Sequence, residues 1–82
     1  MKYISIAEVL TLNQKIKEAD LPYQIHLRDA CGKQSLWIED LNDDKNDQKR
    51  RILEELLAEY FHSLHFILEF SEDRMNFWIS AN

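Results

Sequence analysis

Two stretches of the chain follow the same apolar pattern, and this internal repeat constrains the fold more than any other feature. The segments LPYQIHL…SLWI and LHFILEF…NFWI align with Leu21 over Leu64 and Trp37 over Trp78, and the first turn is two residues longer. Apolar and polar residues alternate in each segment, as in a strand with one buried face. Each segment is therefore predicted to form an antiparallel hairpin. The remaining aligned pairs are Tyr23 with Phe66, Ile25 with Leu68, and Leu27 with Phe70.

A stripe of apolar residues at helical spacing precedes each hairpin. Before the first stripe, Ser5 and Glu8 have the spacing of a capping box, and Ile4 with Val9 has the spacing of a hydrophobic staple. This helix is predicted to end before Leu21, because the following proline disfavours helical geometry there. The predicted buried side of the first helix consists of Ile6, Val9, Leu12, Ile16 and Ala19. The second stripe, after an Asn- and Asp-rich connector, consists of Leu53, Leu56, Leu57, Tyr60, Phe61 and Leu64.

The alternation also predicts which residues pair within each hairpin. In the first hairpin, Leu27 is expected opposite Leu36 and Ile25 opposite Ile38, which places His26 opposite Trp37. In the second hairpin, a tight turn near residues 72–73 is predicted, and it determines which residues of the two strands lie opposite each other. Its expected pairs are Phe70 with Met75, Leu68 with Phe77, and Phe66 with Ile79.

Together these elements predict an α+β fold with the order αββαββ and a pseudo-repeat of two αββ halves. Both hairpins are apolar on one face, so the simplest arrangement is a two-layer sandwich. A four-stranded antiparallel sheet then carries both helices on one face. The order of strands within the sheet is not readable, because either strand of each hairpin could be central.

Composition supports one small soluble domain over residues 1–82, since 45% of the residues are hydrophobic and 30% are charged. Fifteen acidic against ten basic residues give a net charge of −5, which makes nucleic acid and anionic membranes unlikely partners. The single cysteine excludes an intrachain disulfide, and the start carries no signal-like apolar stretch, so the cytoplasm is the expected location. A domain this small buries a modest share of its surface, so a homodimer is also an expectation.

The sheet side away from the helices, called the open face below, is the predicted contact surface. Alternation places Trp37 and Trp78 there with His26, Arg28 and Ile67, and exposed patches with several large apolar groups usually mark a contact site. The partner is expected to be another copy or a different protein. The alternative interpretation is that each indole covers only its cross-strand neighbour, since isolated exposed aromatic residues are common.

Cys31 is the second candidate, as a reactive thiol or a metal ligand. Neighbouring cations such as Arg28 can lower the pKa of a thiol, but no nucleophile signature surrounds this cysteine, and the turn itself explains Gly32. His62 and His65 have a spacing that can share a metal, although zinc needs two further ligands. Single-stranded nucleic acid binding is a third hypothesis, which the acidic residues beside the indoles disfavour.

The run RDAC at residues 28–31, followed by Gly32 and preceded by LPYQIHL, resembles the RDAC family, a group of short uncharacterised bacterial proteins named after these four residues. The resemblance centres on residues 21–38. It implies no activity, and marks only the hairpin tip as a family feature. The sequence therefore predicts a non-enzymatic interaction module without a cofactor.

Overall fold

The computed structural model describes residues 3–30, 33–43 and 46–81 and has the predicted α+β fold. A four-stranded antiparallel sheet has the strand order β1-β2-β4-β3, and the helices and the inward residues of the sheet share one core. This confirms the fold class and the αββαββ order. The elements are α1 (Ile6–Glu18), β1 (Tyr23–Ala30), β2 (Lys33–Asp40), α2 (Asp47–Ser63), β3 (Phe66–Phe70) and β4 (Asn76–Ala81).

The start of α1 has the predicted capping box. The Ser5 hydroxyl accepts a hydrogen bond from the Glu8 backbone N–H at 3.1 Å, and the Glu8 carboxylate accepts from the Ser5 N–H at 2.8 Å. These two bonds satisfy amide groups that the first turn of a helix leaves without intrahelical partners. The capping box therefore fixes where the helix begins.

The predicted buried side of α1 is wrong at both ends. Ile6 is 71% exposed, and Ala19 is exposed at the end of the helix, whereas the three residues between them are buried. Ile6 lies roughly a quarter turn away from the mean direction of those three at 100° per residue. Ile4, which is 2% exposed, enters the core from the extended segment before the helix, because the Gln34 side chain bonds both its backbone N–H and its carbonyl at 2.9 Å. The buried residues of α1 are Val9, Leu12 and Ile16.

The second helix follows its predicted stripe. Asn46 caps α2 by accepting a hydrogen bond from the Lys49 N–H at 2.9 Å. Phe61 is fully buried near its end and packs edge-on against Phe77, with ring centroids 5.7 Å apart. The fully buried stripe residues are Leu53, Leu57 and Phe61, and the partly buried ones are Leu56, Tyr60 and Leu64.

The register of the first hairpin is confirmed, and that of the second is wrong by two residues. Phe70 pairs with Phe77 rather than Met75, because the connection is a longer loop over residues 71–75 instead of a tight turn. Asp73 holds that loop by accepting hydrogen bonds from the Ser71 hydroxyl at 2.6 Å and the Met75 N–H at 3.0 Å. A shift of two residues keeps every side chain on its predicted face. The corrected pairs are Phe70 with Phe77, Leu68 with Ile79, and Phe66 with Ala81.

The two hairpins meet through their second strands, β2 and β4, at the centre of the sheet. Leu36 pairs with Phe77, and the flanking pairs are Ser35 with Trp78 and Asn76 with Trp37. Because Trp37 and Trp78 occupy equivalent places in the repeat, these flanking pairs are related by a pseudo-two-fold axis near the Leu36 and Phe77 pair. The repeat in the sequence is therefore also an approximate symmetry of the fold.

One edge of the sheet, β1, is closed by a helix side chain. The Asn13 amide of α1 donates to the Ile25 carbonyl at 2.9 Å, and its oxygen accepts from the Ile25 N–H at 2.7 Å. These Ile25 groups point away from β2, where a further strand would otherwise find its hydrogen-bonding partners. Asn13 therefore occupies the place of an additional strand at this point of the β1 edge.

Candidate interaction surface

The cross-strand registers define how the open face is arranged. Arg28 lies opposite Ser35, Ser35 opposite Trp78, and Trp78 opposite Glu69, so these four residues form a row across the sheet. The neighbouring row consists of His26, Trp37 and Asn76. The structure thus brings the predicted residues Trp37, Trp78, His26 and Arg28 onto adjacent rows of one face. Ile67 lies on β3, two residues before Glu69.

His26 and Trp37 form a stacked pair on this face. Their ring centroids are 4.2 Å apart with an interplanar angle of 17°, and His26 Nε2 lies 2.8 Å from Glu39 Oε1. The stack covers one face of the imidazole, and the carboxylate holds one of its ring nitrogens. Trp37 thus does cover its cross-strand neighbour, which gives it a structural role beside the predicted one. Its ring is held in place before any partner arrives.

Trp78 and Ile67 supply the most exposed apolar surface of the open face. Trp78 is 43% exposed and Ile67 is 50% exposed. Trp78 lies between the small polar Ser35 and the acidic Glu69, so neither neighbour can bury the indole. An exposed indole with a fixed backbone loses little conformational freedom when a partner covers it.

Charges of both signs border these aromatic rings. Arg28 is exposed at the β1 end of its row and forms no salt bridge within the described part of the chain, while Glu69 lies at the β3 end. The row can therefore bind a carboxylate at one end and a cation at the other, with the Trp78 ring between them. Glu39 adds a second acid beside His26. Among the described side chains, the acids Glu39 and Glu69 lie on the open face, which differs in this from the cation-lined faces that hold single-stranded nucleic acids.

Glu39 was expected on this face as an acid that offsets Arg28 and His26, but its direct bond to His26 was not predicted. The predicted register already contained the signal, because Glu39 is the diagonal neighbour of His26 when His26 lies opposite Trp37. A carboxylate and an imidazole at that diagonal spacing are close enough to bond. The missing step was to extend the pairing from opposite residues to diagonal ones.

Cys31, with Gly32, lies outside the described residues, so its proposed reactivity stays a prediction. The two strands of the hairpin end at Ala30 and resume at Lys33. The direct measurement is the rate of labelling by a thiol reagent as a function of pH. An apparent pKa near that of a free cysteine would contradict the prediction.

The two histidines near the end of α2 do not lie on the same helical turn. His62 belongs to the last turn, but the helix ends at Ser63, and His65 adopts a φ of 67° after it. Among residues 3–30, 33–43 and 46–81, no group of three or more His, Cys, Asp or Glu side chains could hold a metal ion.

A separate ion cluster links α2 to the loop between β3 and β4. Glu54 accepts from Arg50 Nε at 3.0 Å, one helical turn away, and also from Arg74 Nη2 at 2.5 Å. The hydrogen bond from Arg74 is the main reason that the pKa of Glu54 is lowered from its usual value. Arg50 donates to the Arg74 carbonyl, and the Arg74 guanidinium lies 4.4 Å from the centre of the Phe70 ring. The cluster fixes the loop against the helix and lies apart from the open face.

Comparison with known proteins yields no relative: no family model, curated protein or solved structure matches this chain. The resemblance to the RDAC family therefore stays a prediction. Within the described residues, neither helix has the length and apolar character required to cross a membrane.

Proposed function

We propose that this protein is a non-enzymatic interaction module that binds a different protein through its open face. The observation that carries the proposal is the exposure of Trp78 and Ile67 on the open face. Full burial of one such side chain is favourable by about 1.5–3 kcal/mol, which is ample for an anchor residue at a binding interface. Membership of the RDAC family and a cytoplasmic location belong to the same proposal.

The row of residues around Trp78 indicates the chemistry of the partner. Arg28 and Glu69 stand at opposite ends of the row, so a partner with an acid and a base on either side of an apolar group would match both charges. Charge matching of this kind sets orientation and excludes wrong partners more than it adds affinity. The stack of His26 and Trp37 provides a preformed flat surface beside it.

The experiment first identifies the partner without altering the residues under test. A photo-crosslinking amino acid in place of Gln24, an exposed residue of β1 at the border of the open face, would capture the bound protein in cells. The captured protein is then purified and titrated against the wild type and against Trp78→Ala and Ile67→Ala. Ile6→Ala is the matched control, because Ile6 is 71% exposed on α1, away from the sheet.

We expect Trp78→Ala to weaken binding by about 2 kcal/mol, or roughly 30-fold, with a smaller loss for Ile67→Ala and none for Ile6→Ala. Equal affinity of the wild type and Trp78→Ala would refute the open face as the binding site. A cross-link between two copies of this chain would show that the open face binds a second copy and not a different protein. Quenching of Trp fluorescence by single-stranded oligonucleotides, with a steep salt dependence, would support nucleic acid binding instead.

A further inference from the structure

The second edge of the sheet, strand β3, presents its main chain differently from β1. The Ser71 N–H donates to the Asn76 carbonyl at 2.9 Å, and the Asn76 N–H donates to the Ser71 hydroxyl at 3.2 Å. These two residues are therefore a bonded pair at the end of the β3–β4 ladder, with one bond between main-chain groups. Such pairs alternate along an antiparallel ladder. The N–H and C=O groups of Phe70 and Leu68 therefore point away from β4, toward the outside of the sheet.

The internal repeat shows what differs between the two edges. Leu68 is equivalent to Ile25, whose outward groups are both bonded by Asn13. Asn13 follows the fully buried Leu12 of α1. On α2, Ala58 likewise follows a fully buried residue, Leu57, and it lines a groove together with Leu68. A methyl group cannot bond the Leu68 main chain, and the described residues offer these groups no other partner.

A shallow groove runs along this edge between α2 and β3. The groove is lined from the helix by Ala58, Glu59 and His62, and from the strand by Phe66, Ile67, Leu68 and Phe70. The small side chain of Ala58 leaves room beside the outward groups of Leu68. The edge thus offers main-chain hydrogen-bonding groups together with apolar contact area, as sites that accept an added strand do.

We propose that β3 pairs antiparallel with β3 of a second copy, about a two-fold axis at Leu68, so that two four-stranded sheets become continuous. At the axis, each Leu68 N–H donates to the Leu68 carbonyl of the other copy. This inference goes beyond the open-face proposal. The two surfaces share Ile67 and Glu69, but the main-chain groups of Leu68 and the helix side of the groove belong to the edge alone. The pairing also joins the two open faces into one surface.

The side chains along the edge favour a second copy as the occupant. In this pairing, Ile67 lies opposite Glu69 of the other copy, so the two Glu69 carboxylates are not placed directly opposite each other. The two α2 helices run antiparallel beside the axis, and Glu59 and His62 are three residues apart on the groove side. Each copy therefore brings both an imidazole and a carboxylate to the interface, and these groups are complementary.

The decisive variant is Ala58→Asn, which gives α2 the side chain that closes the β1 edge. Ala58 is exposed, so the substitution leaves the core unchanged. Ala58→Ser is the matched control, because its hydroxyl is too short to bond both main-chain groups of Leu68. Sedimentation equilibrium from micromolar to millimolar concentration measures dimer formation. Amide hydrogen exchange measures protection of Leu68 against that of Ile25.

We expect the wild type and Ala58→Ser to form dimers, and Ala58→Asn to raise the dimer dissociation constant about tenfold or more, because its own amide replaces the second strand. In the wild type, protection of the Leu68 amide against hydrogen exchange should rise with protein concentration. In Ala58→Asn, this amide should be protected at every concentration. A wild type that stays monomeric at millimolar concentration would overturn the inference. A dimer that Ala58→Asn leaves intact, even though its Leu68 amide is protected at low concentration, would overturn it equally. Loss of the dimer in Trp78→Ala but not in Ala58→Asn would instead place self-association on the open face.

Discussion

Replacing Asn13 by alanine tests how strongly one side chain keeps the β1 edge closed. In the wild type, the amide of Asn13 bonds both the N–H and the C=O of Ile25, at 2.7 Å and 2.9 Å. The Ile25 side chain is 1% exposed, so its main chain lies close to the core. Alanine removes both bonds and leaves the Ile25 groups without a protein partner.

The expected loss follows from three contributions. Each partly buried hydrogen bond is worth about 0.5–1.5 kcal/mol net, and an amide left unsatisfied raises the cost toward the upper end of that range. Alanine returns roughly 0.6 kcal/mol, because it is a better helix former than asparagine. The free energy of unfolding should therefore fall by about 2 kcal/mol. That is a large share of the roughly 4–12 kcal/mol typical of a domain of this size.

Urea unfolding of Asn13→Ala measures this loss, and amide hydrogen exchange at Ile25 localises it. Gln14→Ala is the matched control, because Gln14 is the next residue on α1 and is exposed, so its replacement reports the change in helix propensity alone. We expect exchange at Ile25 to accelerate in Asn13→Ala and to stay unchanged in the control. If the two variants are equally stable and Ile25 keeps its protection, the assignment of Asn13 as the closing group is wrong.

Three further substitutions test the packing and the ion cluster. Glu54→Gln should cost about 1 kcal/mol at neutral pH. Because the folded-state pKa of Glu54 lies below its usual 4.5, urea titrations of both proteins should converge as pH falls below 4.5 and through that folded-state pKa. Tyr60→Phe removes the hydrogen bond from the Tyr60 hydroxyl to the Glu8 carbonyl at 2.8 Å and should lower the unfolding free energy by about 1 kcal/mol. Burial raises the pKa of Tyr60, so in the wild type this contribution is present below pH 10.0 and is lost as pH rises through the folded-state pKa, which absorbance titration of the phenol follows. Phe77→Ala, at a fully buried ring, should cost about 3–5 kcal/mol by thermal or urea unfolding, and a loss below about 1 kcal/mol would contradict its central place in the core.

The parts of the fold that were predicted depend on local patterns. The capping box of Ser5 and Glu8 involves residues three apart, and the first hairpin has a long, regular alternation on both strands. The open face followed from the same alternation, because the side chains of a strand point to its two faces in turn. The positions of Trp37, Trp78 and Ile67 on one face were therefore readable from the sequence.

The second hairpin shows where a local interpretation failed although the sequence held the answer. A tight turn at residues 72–73 is compatible with the alternation, but the bonds from Ser71 and Met75 to Asp73 favour a longer loop. The internal repeat contains the correct register, because placing Leu27 over Phe70 and Leu36 over Phe77 makes Phe70 the partner of Phe77. The two inferences conflicted, and the repeat was the better guide.

Other features depend on contacts between distant residues. The strand order follows from the pairing of Leu36 with Phe77, and no local pattern states which strand of a hairpin will be central. Ile6 was predicted to be buried, but Ile4 is buried there instead. The backbone of Ile4 is held by Gln34, which lies thirty positions along the chain. The two hydrogen bonds between Asn13 and Ile25 likewise join two different elements, α1 and β1. Most polar residues that lie next to the buried stripe of a helix are simply exposed to solvent, so the role of Asn13 could not be read from the sequence.

If copies associate through the β3 edge as proposed, the two hydrogen bonds from Asn13 to Ile25 also set the number of copies. A flat sheet with two open ends can recruit copies at both, and such head-to-tail growth has no natural stopping point, which is the geometry of filaments. Because Asn13 blocks the β1 edge, association through the β3 edge stops at two copies. The helix beside β1 presents the Asn13 amide to the strand edge, and the helix beside β3 presents the Ala58 methyl group to the groove there. That single difference separates a finite assembly from an unlimited one.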